Sequence, residues 1–311
     1  DPNSINSEII YKTWRKLDNK IRKKIYLISN YNLIQNQFKK LKYSIKIVKV
    51  SNINELPQTD KLKILNVDLN FKNSFNIPFK ANSKFLKKCL NYAHKLSSDK
   101  QVVGFINCPI NKKLLGNKNI GLTEYLAQKC KIKKNSEVML ITNEKFSVSP
   151  ITTHIKLKNV SKKINKNIIL EKIKTLNNGF KKIFNKKPRI CLLGLNPHNS
   201  ELTQDSEEKR IIIPSIIRLK KEGIKIYGPF AADTAFINEY KNYDVVVGMY
   251  HDQVITPFKT IYKFNAINIT LGLKYLRASP DHGIASSLIG KRKADPLSLI
   301  KCIKFINKFS S

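Results

Sequence analysis

Short apolar runs, each followed by turn- or loop-forming residues, recur along this chain: QVVGFIN from Gln101, EVMLITN from Glu137, FSVSPITTH from Phe146, RICLLGLN from Arg189, YDVVVGMY from Tyr243 and AINITLG from Ala266. Runs of this length and bounding predict strands. Longer helix-permissive stretches lie between several of them, and that alternation predicts α/β layers around a largely parallel sheet. From Asp205 to Glu222 a capping-type start, DSEEKR, leads into the apolar stripe IIIPSIIRL, which Pro214 interrupts. A ring without an N–H inside a helical pattern predicts a kinked or two-part helix there.

The chain has 311 residues, which favours two lobes over one core, and 41% hydrophobic content is ample for burial. No uninterrupted apolar stretch approaches the roughly 18 to 20 residues of a membrane span, so no membrane partner is expected. Cys89, Cys108, Cys130, Cys191 and Cys302 are odd in number, form no CxxC pair and sit mostly in apolar surroundings. Reduced, buried thiols in a cytoplasmic protein are the expectation. The opening DPNSINSEII has neither a basic nor an apolar leader region, and no signal peptide is expected. The formal charge of +36 would ordinarily point to a polyanion. Here Lys is spread along nearly the whole chain among Ile and Asn, the joint bias of an A+T-rich coding sequence, and no specific nucleic-acid partner is expected. All eleven glycines lie at or after Gly104. A GxGxxG phosphate loop in the first third is thereby excluded.

Three of the five histidines stand at the ends of strand-like runs: His154, His198 and His251. Parallel strands sharing one sheet would bring their carboxyl ends, where open α/β sheets bind ligands, to one crevice. Three imidazoles there have the composition of an open metal site. A single histidine in this context is more often a hydrogen-bonded loop residue, and no spacing such as HExxH ties any two of these together. The residues alone leave both readings open.

The stretch HDQVITPFKTIYKFNAINITLGLKYLRASPDHGIASSLIGKRKADPLSL from His251, with GLNPHNSE, GPFAADTAF, ITTHIKLKNV, INCPINKKLL and GLTEYLA, closely resembles the 4-hydroxythreonine-4-phosphate dehydrogenase family of vitamin B6 biosynthesis. The resemblance covers nearly the whole chain. It implies an α/β fold of two α/β/α lobes, like isocitrate and isopropylmalate dehydrogenases, with the active site in the interlobe cleft. The first lobe would comprise residues 1–125 and 260–311, and the second 126–259. A homodimer with a shared active site is also implied, as is NAD(P)-dependent oxidation of a small phosphorylated amino acid, 4-phosphooxy-L-threonine.

By the same resemblance His154, His198 and His251 are ligands of one divalent ion, Zn, Mg, Co or Mn, and Thr123, Lys259, Asn268 and Arg277 bind substrate. A guanidinium fork and an ammonium suit a phosphate monoester. Asp281, His282 and Gly283 lie in a loop expected to hold NAD or NADP, the plainer reading being a turn that caps a helix. Asp252 and Lys112 are both candidates for proton transfer, and the residues do not choose between them.

The chain also departs from the family. Its opening DPNSINSEI stands against GDPAGIGPE, so part of the first lobe's sheet is absent from this sequence or lies upstream of it. Leu122 replaces the histidine of GHTE, and TIYKFNA replaces a glycine-rich stretch between Lys259 and Asn268. These departures keep two alternatives in view: a degenerate metal-binding homologue without turnover, and a related dehydrogenase of another phosphorylated hydroxy acid.

Overall fold

A computed structural model of the chain describes all residues except 57, 117–120, 134, 144, 238 and 311. Its strands in chain order are β1 (Tyr26–Ser29), β2 (Ile47–Val50), β3 (Leu62–Asn66), β4 (Gly104–Ile106), β5 (Val138–Thr142), β6 (Ser147–Thr152), β7 (Ile190–Leu193), β8 (Ile226–Phe230), β9 (Val245–Tyr250), β10 (Ile267–Leu271) and β11 (Leu276–Pro280). All six strands expected from the apolar runs are present, interleaved with helices, and the fold is α/β. Two compact units divide the chain: Asp1–Lys118 with Tyr275–Ser311, and Asn119–Lys274.

In the first unit, β3 pairs in parallel with β1 on one side and β2 on the other, and β4 pairs in parallel with β11. The helix Tyr31–Lys40 starts where the Asn30 side chain accepts from Leu33 N–H, satisfying one open donor of the first turn. Its Ile34 and Phe38, four residues apart, share one face and pack with Trp14, Leu62 and Ile64. An apolar-lined cavity of about 650 Å³ runs along β1 and β4, bordered by Leu27, Ile28, Phe105, Leu86 and Leu90.

The second unit is built on six strands in the order β10-β5-β6-β9-β7-β8. The pairs β6–β9, β9–β7 and β7–β8 are parallel, whereas β10–β5 and β5–β6 are antiparallel. The expected parallel pairing holds except at β5, whose two antiparallel pairs make this sheet mixed. Only residues 143–146 separate β5 from β6, enough for a hairpin and far too few for a crossover. Strands β5, β6 and β7 are buried along their whole length. The helix Lys166–Phe184 lays Ile169, Ile173, Leu176 and Phe180 inward at helical spacing, and Asn165 caps its start. Around Pro214 the two-part helix takes a definite form, a π-helical turn Glu208–Ile212 followed by an α-helix Ile213–Lys221 with the proline in its first turn. There the missing N–H costs least.

All five cysteines are free thiols. Burial pushes the Cys89 and Cys191 thiols up to about 12 and Cys108 to about 11, so these are unreactive side chains. Among the described residues no helix is long and apolar enough to cross a membrane.

Candidate active site

Strands β6, β9 and β7 are neighbours and run parallel, so their carboxyl ends share one edge of the second unit's sheet. His154 follows β6 by two residues, His251 follows β9 directly as the first residue of the helix His251–Tyr262, and His198 lies five residues beyond β7. The structure brings two of the three together, with the rings of His154 and His251 5.8 Å apart between centroids. Among the described residues, no group of three His, Cys, Asp or Glu side chains is arranged to hold a metal ion. His198 is therefore at the expected edge but outside the His154–His251 pair.

Each member of that pair turns Nδ1 towards a carboxylate. His251 Nδ1 is 2.8 Å from Asp252 Oδ1, and His154 Nδ1 is 3.8 Å from Glu124 Oε2. Glu124 sits in the first turn of the helix Leu122–Lys129, and its other oxygen accepts from the Thr153 hydroxyl at 2.5 Å. Burial raises the pKa of Glu124, but the neighbouring His154 imidazole and the Thr153 hydroxyl outweigh it and leave the carboxyl at about 2. Imidazoles whose Nδ1 faces a carboxylate are oriented as metal-bound histidines commonly are, with Nε2 left for the ion. In donor type these two residues fit a divalent ion of the zinc class.

The loop that carries His198 is held from three sides. Glu208, fully buried, accepts from the backbone N–H groups of Leu195 and Asn196 at 2.7 and 2.8 Å and from the Asn196 side chain at 3.0 Å. Burial opposes its ionisation, yet these donors hold its pKa below the usual carboxylate range. Gln253 donates to Gly194 O and accepts from Met249 N–H, tying the end of β7 to that of β9. Asn199 donates to Pro229 O at 3.1 Å. At Gly194 a Cβ would stand 2.0 Å from Asn199 Oδ1, so any larger residue would displace the Asn199 side chain from its place. His198, Asn199, Ser200, Glu201 and Leu202 all have φ between 46° and 57°. A run of non-glycine residues in the left-handed region is strained and persists only where its surroundings over-determine it.

The other expected residues are distributed as follows. Thr123 is buried, its hydroxyl 3.4 Å from that of Thr270. Asn268 on β10 has a buried Oδ1 with no hydrogen-bond partner among the described residues. The Lys259 ammonium lies 5.1 Å from the Phe264 ring centre. In the first unit, Arg277 on β11 is 2% exposed and donates to Asn107 Oδ1 at 2.7 Å. Lys112 is exposed at the start of a 3₁₀ turn. Asp281 is buried directly after β11, its N–H donating to Ser298 Oγ, and His282 Nδ1 is 3.0 Å from Gly283 O. Gly283 has open space where a Cβ would be. Its backbone does not demand glycine.

Sequence reasoning missed Glu124, Glu208 and Gln253. Glu124 and Gln253 lie inside the GLTE and HDQV segments, beside residues that were singled out. A carboxylate in a first helical turn reads as an ordinary cap, and only the tertiary fold shows that Glu124 faces a histidine thirty residues on. Glu208 lay in the DSEEKR start and read the same way.

The family described as Pyridoxal phosphate biosynthetic protein PdxA matches residues 20–306. A 4-hydroxythreonine-4-phosphate dehydrogenase from Sulfurihydrogenibium sp. (strain YO3AOP1) is 36% identical over 312 residues, spanning 98% of this chain and 94% of its own. One from Zymomonas mobilis subsp. mobilis (strain ATCC 31821 / ZM4 / CP4) is 32% identical over 97% of this chain and 91% of its own. The crystal structure of the Klebsiella pneumoniae 4-hydroxythreonine-4-phosphate dehydrogenase superposes with a TM-score of 0.85 at 26% identity, covering 100% of this chain and 97% of that one.

Proposed function

Since this chain belongs to the family of pyridoxal phosphate biosynthetic protein PdxA, we propose that it oxidises 4-phosphooxy-L-threonine to 2-amino-3-oxo-4-phosphooxybutanoate. The product, a β-keto acid, loses carbon dioxide to give 3-amino-2-oxopropyl phosphate on the route to pyridoxal 5′-phosphate. The alcohol carbon gives up hydride to NAD or NADP and the hydroxyl gives up a proton. Asp281, His282 and Gly283 are proposed to contact the nicotinamide cofactor.

His154, His198 and His251 would hold a divalent ion, Zn, Mg, Co or Mn, which supplies Lewis acidity at the substrate oxygen when bound. Lys259 and Arg277 recognise the phosphate, the first as a point charge and the second as a planar fork. Thr123 and the open acceptor of Asn268 fix the polar groups of the substrate. Lys112 or Asp252 takes the hydroxyl proton. The observation that carries this reading is the delivery of three histidines to one sheet edge by three adjacent parallel strands. A homodimer with a shared site is part of the proposal. Because His154 and His251 neighbour each other within one chain, mixing inactive His154→Ala and His251→Ala subunits should not restore activity.

The test is NADH or NADPH formation from 4-phosphooxy-L-threonine by purified protein, with and without chelator. Turnover that stops on chelation and returns with a divalent ion is expected. Cobalt binding without turnover would instead identify a non-catalytic homologue, and turnover indifferent to chelator would remove the metal from the proposal.

A further inference from the structure

We propose that Glu124 is a positioning residue, whose carboxylate holds the His154 ring with Nδ1 facing it and Nε2 at the opposite edge, Thr153 and Gly121 fixing the carboxylate in turn. This deepens the metal reading above and rests on it.

Three observations converge. First, Glu124 Oε2 and His154 Nδ1 are buried, lie 3.8 Å apart, and have no hydrogen-bond partner among the described residues. Two buried polar atoms left facing each other cost free energy unless they engage one another. A small ring movement turns this ion-pair distance into an Nδ1–H···O bond. That bond selects the tautomer with its lone pair on Nε2, the form a metal ligand requires.

Second, the carboxylate is not free to turn away. Thr153, adjacent to His154, donates to Oε1 at 2.5 Å, which commits that oxygen and leaves Oε2 for the imidazole. Glu124 also stands in the first turn of its helix, where the macrodipole favours negative charge.

Third, Gly121 makes room for the pair. A Cβ at that position would come within 2.6 Å of both Glu124 Oε2 and His154 Nδ1. A side chain at residue 121 would therefore have to displace one partner or the other.

The comparison with Asp252 and His251 sharpens the assignment. Those side chains are 79% and 35% exposed, so water competes for and screens their contact. Glu124 and His154 are 22% and 25% exposed, and the geometry of their contact is set by packing.

The experiment is Co²⁺ binding to the full-length protein, followed by calorimetry and by the visible absorption of the bound ion. His154→Ala is the control for the reading itself, since it should abolish the signal. Glu124→Ala is expected to weaken binding about tenfold to hundredfold, the usual effect of removing the outer partner of a metal-bound histidine, and to change the absorption spectrum. Glu124→Gln, which keeps the shape and one acceptor but not the charge, should recover only part of the loss, whereas a packing role alone would give nearly full recovery. Thr153→Val and Gly121→Ala disturb the same contact without substituting either partner and should each weaken binding. They decide the matter if Glu124→Ala does not fold. Wild-type affinity and spectrum in the Glu124 variants, or in both neighbours, would overturn the assignment while leaving the metal reading intact. No Co²⁺ signal sensitive to His154→Ala would overturn both.

Discussion

Leu122 is the first residue of the helix Leu122–Lys129, 7% exposed, and precedes the proposed substrate contact Thr123. Leucine offers nothing to a phosphate or hydroxyl, whereas a histidine there can donate a hydrogen bond. Such a bond to a charged group is worth about 1.5 to 3 kcal/mol, roughly tenfold to hundredfold in an equilibrium or rate. Leu122→His is therefore expected to raise kcat/KM for 4-phosphooxy-L-threonine by about tenfold or more, and to lower Tm, because an imidazole replaces a buried apolar side chain. Unchanged or reduced kcat/KM in a folded variant would show that the position has lost its substrate role. Single residues were only partly legible in the sequence. The strand-end histidines stood out because three share one context, but the carboxylate that faces His154, Glu124, comes from thirty residues away and is placed there only by the tertiary fold.

At the scale of elements, the runs that became β5, β7 and β9 were legible because central strands buried on both faces are nearly continuous in apolar residues, and those that became β6 and β10 because β-branched residues recur between turn-forming flanks. Strands β1, β2 and β3 were not: β2 and β3 each carry a lysine within the strand, and β1, the four residues YLIS, directly follows the basic stretch IRKKI. Lys63, fully buried in the middle strand β3, departs furthest from the pattern. Its ammonium donates to Lys23 O and lies 3.9 Å from the Tyr26 ring centre. The His198 loop depends likewise on a distant element, through Glu208. The pKa of Glu208 is depressed in the folded state, so it contributes stability above the ordinary carboxylate pKa, and that contribution is lost as pH falls through the depressed value. Glu208→Gln removes the titration. In urea unfolding, wild type should exceed Glu208→Gln in stability at pH 7, and the gap should shrink as pH falls below about 4.3. A gap of equal size at pH 7 and pH 3 would show that the carboxylate does not titrate with folding.

For the whole molecule, 58 Lys and Arg against 22 Asp and Glu give a formal net charge of +36. Such a charge creates a positive field that any polyanion will feel. The basic residues are not gathered into one motif: they occupy the last turns of helices in both units, such as Lys39 and Lys40, Lys181 and Lys182, and Lys220 and Lys221. There they complement the helix dipole and face solvent. Charge of this kind gives nucleic acid a diffuse attraction and no arrangement of side chains that reads base edges. Binding to DNA is therefore expected to be indifferent to sequence. It should weaken by orders of magnitude between about 50 and 200 mM salt, as release of condensed counterions requires. The proposed binding of phosphorylated substrate involves two fixed cationic side chains and few counterions, so KM should rise far less over the same range. Fluorescence anisotropy with duplexes of unrelated sequence, run beside steady-state kinetics across the salt series, separates the two behaviours. Selective binding to one duplex that survives near 150 mM salt, where the Debye length is about 8 Å, would mean that the surface charge serves a partner rather than following from composition.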